Sequence, residues 1–382
     1  MLTQGYGMAL ANLRIKVALE RFGMVANDSI KDELEKLFVK KQALAPILLR
    51  DLARVNLYFP ILSSHMFLRE NFNALGVFEK IKARLVADGS SQDREDFDDE
   101  EISSPAACLE SIFNMLELVA VEKRHLLILD VGGAYLNAKI DRPAYMFIQP
   151  ELVNILLNIR PDYAKFKDHQ GRILTQIDKA MNGLVQSAKL WYKTITGALE
   201  KNGYVPNSMD ACVWNKYVNG VQTTIVIYVD DLAISSNNRE DVHAAIELIK
   251  KEFVDVKVKE SNEMSHLGMN LKLSESGVEV DMINYIQEIL KEFEGVHEYT
   301  HPADEKLFIY NADGLPCSDP KKFHRIVAKL LFLCKRGRPD IALPVHYLCT
   351  RVKNPTVDDE QKLRRFVGYM KLTLGNTRKI DS

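Results

Sequence analysis

Between Ala211 and Ser235 the chain reads as three consecutive β-type runs joined by two turns, which leaves little choice of strand partner. Ala211 to Val218 ends on Asn219-Gly220, the pair most suited to a two-residue hairpin, and Val221 to Val229 returns. Asp230-Asp231 breaks the run, and Leu232 to Ser235 goes back. The pattern predicts an antiparallel meander. Its second turn carries adjacent carboxylates between apolar strand residues, where like charges are poorly hydrated and repel unless a cation neutralises them. Asp130 stands in a matching place, at the end of Leu126-Leu127-Ile128-Leu129. Three acids so placed indicate a carboxylate site for a divalent metal on a sheet.

A chain of 382 residues, 47% of them hydrophobic, is expected to bury a substantial core and to hold two or three subdomains. No run reaches the roughly 18 uncharged apolar residues of a membrane span, and the start lacks a signal-peptide pattern. A soluble intracellular, cytoplasmic protein with no membrane partner is expected. The five cysteines are scattered with no Cys-x-x-Cys pair, which indicates neither a zinc site nor a disulfide framework. The net charge of −2 conceals an uneven distribution. Residues 321–379 hold 15 lysines and arginines against 4 acids, a local +11, the electrostatic footprint of a phosphate-backbone contact or else a solvated helical face.

Periodicity supplies the remaining elements. Residues 1–60 are helical in pattern (Leu34, Leu37, Phe38) and show no chemistry, so they read as an N-terminal extension. A helix is predicted from Ser104 as N-cap and Pro105, through Leu109, Ile112, Phe113, Leu116 and Val119. A strand follows at 125–131. The next helix runs through Ala188, Leu190, Trp191, Ile195 and Leu199 to Gly203, and another spans Arg239 to Phe253. Short strands are expected near 266–273 and 278–281, then a helix from Ile283 to Phe293. The last 60 residues look all-helical, with a stop at Gly337-Arg338-Pro339, a kink at Pro344 and Thr356 capping a final helix against Asp359. A β-rich centre between helical flanks predicts an α+β architecture, a palm-like sheet with helices on one face.

Six blocks now occur in an order that resembles the reverse transcriptase of copia-type retrotransposons. They are Lys82-Ala83-Arg84-Leu85-Val86, Leu129-Asp130-Val131-Gly132-Gly133-Ala134-Tyr135-Leu136-Asn137, and Gly183-Leu184-Val185-Gln186-Ser187 with Trp191-Tyr192. Tyr228-Val229-Asp230-Asp231, Leu267-Gly268-Met269 and Arg338-Pro339-Asp340-Ile341 complete the series, and the resemblance covers roughly residues 60 to 375.

The resemblance implies a right-hand polymerase with fingers, an antiparallel palm and a helical thumb or connection region, divided as 1–60, 61–300 and 301–382. It implies that Asp130, Asp230 and Asp231 are catalytic metal ligands for two Mg²⁺ ions about 3.5–4 Å apart, with Mn²⁺ a substitute. One ion would activate the primer 3′-hydroxyl and the other would hold the triphosphate, with Asp130 and Asp230 as bridging ligands. Lys82, Arg84, Gly132, Tyr135 and Gln186 match nucleotide-binding positions: cations for phosphate oxygens, a glycine permitting close backbone approach, a ring beneath the sugar, and a segment over the templating pair. Tyr228, Gly268, Lys335, Arg336 and Arg338 are the implied nucleic-acid contacts. The implied partners are an RNA or DNA template with its primer, and deoxynucleoside triphosphates, in retroelement particles. Trp191 and Tyr192 read as core.

The chain departs from the family pattern at Asn182-Gly183-Leu184-Val185-Gln186-Ser187-Ala188, where Tyr-Gly-Leu-Lys-Gln-Ser-Pro is usual, and this bears on template contacts. It stops about where the family's RNase H domain would begin, so a polymerase module alone is expected. Two other readings stay open: a non-catalytic nucleic-acid-binding remnant of such a polymerase, and another two-metal palm enzyme such as a nucleotide cyclase.

Overall fold

Asn219 and Gly220 both adopt left-handed φ, 49° and 81°, and this turn sets the twist on which the central sheet is built. The computed structural model describes residues 13–55, 61–72, 78–93, 95, 97–311 and 313–381. The central, all-antiparallel sheet runs in the order Val256–Lys259, His125–Val131, Asp231–Ser236, Val221–Tyr228, Val213–Val218 and Val205–Pro206. Leu126 to Leu129, Ile225 to Ile227 and Leu232 to Ile234 are buried. Helices Leu109–Glu122, Ser187–Lys201 and Arg239–Glu252 contribute to the same apolar core.

A second sheet, on the N-terminal side, has the order Leu13–Arg14, Ile61–Phe72, Lys139–Ile148, Ile173–Lys179 and Leu44–Pro46, with Phe78–Ala87 also paired to Ile61–Phe72. Its core joins Ile30, Leu34, Leu37 and Phe38 to Leu62, Leu85, Met146 and Ile177. Residues 13–46 therefore form an integral wall of this subdomain, with two strands and helices Ile15–Phe22 and Met24–Glu35, where the sequence predicts a helical appendage. Each of those strands has two or three residues, too short for any alternation to register. Of the rest of that predicted extension, residues 47–55 carry the helix Leu49–Val55, and residues 1–12 and 56–60 lie outside the described residues.

The third sheet orders Glu263–His266, Met269–Ser274, Gly277–Asp281 and Arg378–Asp381. Helices Pro320–Arg336, Ala342–Arg351 and Val357–Leu372 share the core of the central sheet. No helix among the described residues is long and apolar enough to cross a membrane.

Three local expectations are corrected. The helix predicted from Ser104 begins at Leu109, because the Asp210 carboxylate accepts hydrogen bonds from the Cys108 N–H (3.1 Å) and the Ser111 hydroxyl (2.7 Å) and so supplies the N-terminal acid from a distant loop. Pro344 makes no kink, since it is the third residue of its helix, where its missing N–H would have no intrahelical partner. The C-terminal region ends in a strand, with Ile380 opposite Val278. The Thr356 capping box forms, with the Thr356 N–H donating to Asp359 Oδ2 at 2.9 Å.

Candidate active site

Strand pairing brings the acids together. Asp231 lies directly opposite Asp130 in the central sheet, 101 positions apart in the chain. Tyr228 pairs with Asp231, so Val229 and Asp230 form the two-residue tip of the hairpin. Opposed residues of an antiparallel pair share a face. Asp130 and Asp231 are half-buried, and Asp230 is exposed at the tip.

The tip is held by bonds from two sides. Val131 donates its N–H to the Asp230 carbonyl at 2.9 Å. Val229 takes φ 56°, an outlier for a β-branched residue that costs on the order of 1–3 kcal/mol unless its surroundings enforce it. The enforcing group is Trp191, whose buried indole N–H donates to the Val229 carbonyl at 2.6 Å while its ring meets Phe253 edge-on at 5.1 Å. Trp191 is thus both core and clamp.

Crowding of like charge is visible at Asp231. Burial first, then the Asp230 and Asp130 charges, push its carboxyl up to about 6, against the pull of Lys259. Among the described residues no group of three His, Cys, Asp or Glu side chains is arranged so as to hold a metal ion. The donor set nevertheless suits a hard divalent cation, which would relieve that crowding. Tyr135 reports the same field. Partial burial and then the Asp230 charge raise its hydroxyl pKa, with Arg84 of the strand Phe78–Ala87 opposing.

On that strand Lys82 and Arg84 are exposed while Ile81, Ala83 and Leu85 are buried. The Lys82 ammonium is held below the usual lysine range by the protein around it, then by Arg84 and Lys36, with Asp130 and Glu33 opposing. It is accessible to water yet feels the Asp130 charge. Gly132 donates its N–H to the Asp255 carbonyl at 2.6 Å, and a Cβ there would collide with the Asp255 carboxylate. Gly133 follows in left-handed φ, 62°.

A family model described as reverse transcriptase (RNA-dependent DNA polymerase) matches residues 60–303. The chain belongs to this family. The Retrovirus-related Pol polyprotein from transposon RE1 of Arabidopsis thaliana is 27% identical over 306 residues, 79% of this chain and 20% of that protein. The putative transposon Ty5-1 protein of Saccharomyces cerevisiae is 25% identical over 250 residues, 64% of this chain and 76% of that protein. These are copia-type elements, as the ordered blocks implied, and the chain spans about a fifth of the length of the Arabidopsis polyprotein. Among solved structures, telomerase from Candida albicans in complex with a fragment of telomeric RNA aligns at TM-score 0.37 and 9% identity, covering 84% of this chain and 66% of that one, a likeness too slight to argue from.

Not every position that matches the family pattern stands free to meet a substrate. Gln186 is buried, and its side-chain carbonyl accepts from Gln92 Nε2 at 3.2 Å, while its own amide nitrogen has no partner among the described residues. Its loop is tied to the strand Phe78–Ala87 by the Ala87 N–H, which donates to the Asn182 carbonyl at 2.9 Å. Gly268 and Leu267 form a left-handed two-residue turn, φ 83° and 51°, and a Cβ on Gly268 would come 3.0 Å from the Phe332 ring. Tyr228 is half-buried beside the tip.

The basic trio divides. Arg336 is buried: its Nε donates to the Leu267 carbonyl at 3.1 Å and its guanidinium lies 3.7 Å over the Phe332 ring. Arg338 is 2% exposed, bonded to both Asp340 oxygens (2.8 and 2.7 Å) and to Thr373. Both guanidiniums are thus engaged within the protein. Lys335 alone of the three is exposed. Sequence reading missed Lys36, Lys41, Asp255 and the Trp191 bond. A buried tryptophan needs an acceptor for its N–H, which was the available signal for Trp191; the two lysines and Asp255 carried none.

Proposed function

We infer that this chain is the polymerase module of a copia-type retroelement, adding deoxynucleotides to a primer 3′-hydroxyl on an RNA or DNA template. The observation that carries this reading is the pairing of Asp130 with Asp231 beside the Asp230 tip, with Asp130 in the electrostatic range of Lys82.

Asp130, Asp230 and Asp231 would hold Mg²⁺, with Mn²⁺ as a substitute. When bound, divalent ions lower the pKa of a hydroxyl and offset charge on a transferring phosphoryl group. The residues of the chain do the rest. Lys82 and Arg84 draw triphosphate oxygens toward the acids through charge-assisted hydrogen bonds. Tyr135 fills the space beneath the sugar, where a 2′-hydroxyl would clash. Tyr228 and the Leu267-Gly268 turn bear on the primer end, and Trp191 keeps the acidic tip from relaxing. Lys335 and its exposed basic neighbours meet the duplex backbone, a contact that weakens with salt.

The test is primer extension on an RNA template with Mg²⁺. Asp230→Asn is expected to abolish incorporation and leave duplex binding nearly intact. Equal incorporation by the variant would remove the assignment, and duplex binding by the wild type without incorporation would identify a binding remnant.

A further inference from the structure

We propose that Lys36 and Lys41, from the segment that precedes the family match, clasp the triphosphate of the incoming nucleotide against the Gly132-Gly133 turn. The proposal rests on the polymerase reading and adds to it a third side of the nucleotide site.

The placement is specific. Lys36 Nζ lies 2.8 Å from where a Cβ on Gly133 would stand, so the ammonium touches the backbone three residues after Asp130. A side chain at position 133 would displace it. Lys41 Nζ donates to Asn137 Oδ1 at 3.0 Å, and Asn137 Nδ2 in turn donates to the Gly133 and Ala134 carbonyls at 3.4 and 3.3 Å. Both lysines thus bridge the N-terminal wall to the loop that follows the first acid.

Neither lysine is in an ion pair among the described residues. Both are half-buried and stand among other cations. The Lys41 ammonium is held low by burial first, with Asp255 opposing and Lys179 and Lys36 adding repulsion. Lys36 also weighs on Lys82, which lies across from Asp130. Glu33 and Asp255 act on this group beside Asp130, too few acids to balance Lys36, Lys41, Lys82, Arg84 and Lys179, and a bound polyanion reduces the remaining repulsion. A phosphate at the Gly133 turn, beside Lys36 and in the electrostatic field of Lys82, is best supplied by a nucleotide at the reacting centre. A template strand places its phosphates along an extended track instead.

The test uses the full chain and the Lys36→Met, Lys41→Met and Lys36→Arg variants. Affinity for dTTP and for inorganic tripolyphosphate is read by calorimetry, duplex affinity by fluorescence anisotropy, and the KM for dTTP by primer extension. Each methionine variant is expected to bind dTTP and tripolyphosphate about tenfold or more weakly, the effect of losing one charge-assisted contact, with KM rising in parallel. Duplex affinity should change less than about twofold, since these lysines lie off the duplex track. Lys36→Arg, which keeps the charge, should retain most of the affinity and guards against a loss that is merely one of folding. Unchanged triphosphate affinity overturns the proposal, as does a loss confined to the duplex, which would assign the lysines to the template backbone. Extension with unaltered triphosphate affinity in the variants removes this inference alone. Lysine-dependent triphosphate binding by a wild type that extends no primer would sustain it and remove the polymerase reading.

Discussion

Asp231→Asn should make the protein more stable at neutral pH in buffer free of divalent ions, although it removes a member of the candidate site. The Asp231 carboxyl rises from an ordinary 3.8 to about 6 through burial and then through the charges of Asp230 and Asp130. A rise of that size corresponds to about 3 kcal/mol at most, and screening at a half-buried site reduces it to about 1–3 kcal/mol. The sign follows from proton binding. Between pH 4 and 6 the native state holds a proton that the unfolded state has released, so stability falls as pH rises through this window. Above pH 6 the native protein carries the full repulsion, and below pH 4 it carries none. Urea denaturation of wild type and variant across this range, in EDTA, reads the difference as a shift in midpoint at constant slope. The variant should be the more stable at about pH 7.5, with the gap closing toward pH 4. Added Mg²⁺ should then stabilise the wild type more than the variant, because an ion bound by the native state alone raises its stability. A variant of equal or lower stability at neutral pH, or a gap independent of pH, would refute the crowding of acids on which this reasoning depends.

Other substitutions separate support from contact. Arg338→Ala should cost about 1–2 kcal/mol by removing buried hydrogen bonds to Asp340 and Thr373, while the exposed Lys335→Gln should leave stability unchanged and reduce the salt dependence of duplex binding by about one charge. Circular-dichroism melting and salt titration check the two, and a stable Arg338→Ala with a flattened salt slope would reverse their roles. Trp191→Phe keeps the ring against Phe253 but deletes the bond to Val229, so stability should fall by about 1 kcal/mol and kcat by more than KM changes; kinetics identical to wild type would show that the tip needs no clamp. Tyr135→Ala should raise ribonucleotide incorporation relative to deoxynucleotide, measured on matched primer-templates. Unchanged sugar discrimination would leave Tyr135 a packing residue.

The parts of the molecule that the sequence disclosed are those with local rules. Asn219-Gly220 announced its hairpin, Gly203 closed its helix at φ 81°, and Thr356 found Asp359 three residues on. The acids were legible as ends of apolar runs, but the sheet partner of Asp231 was not, because register between strands a hundred residues apart is decided by packing. Non-local supports stayed hidden for the same reason. Asp210 starts a helix 99 residues upstream through Ser111, and Arg378–Asp381 becomes a strand only by pairing with Gly277–Asp281. Charge composition did not disclose that, within the basic cluster, Arg336 and Arg338 bond a turn carbonyl, a ring and a neighbouring carboxylate. It was silent at Lys36 and Lys41, whose meaning depends on the glycine turn they reach.

The most direct measurement is single-nucleotide incorporation on an RNA template with Mg²⁺ by the wild type and by Asp130→Asn, with duplex affinity recorded beside it. Incorporation by the wild type and its loss in the variant, at unchanged duplex affinity, is the predicted result. An Asp130→Asn protein that extends the primer as well as the wild type would contradict the claim that this acid and the distant 230–231 tip serve one centre.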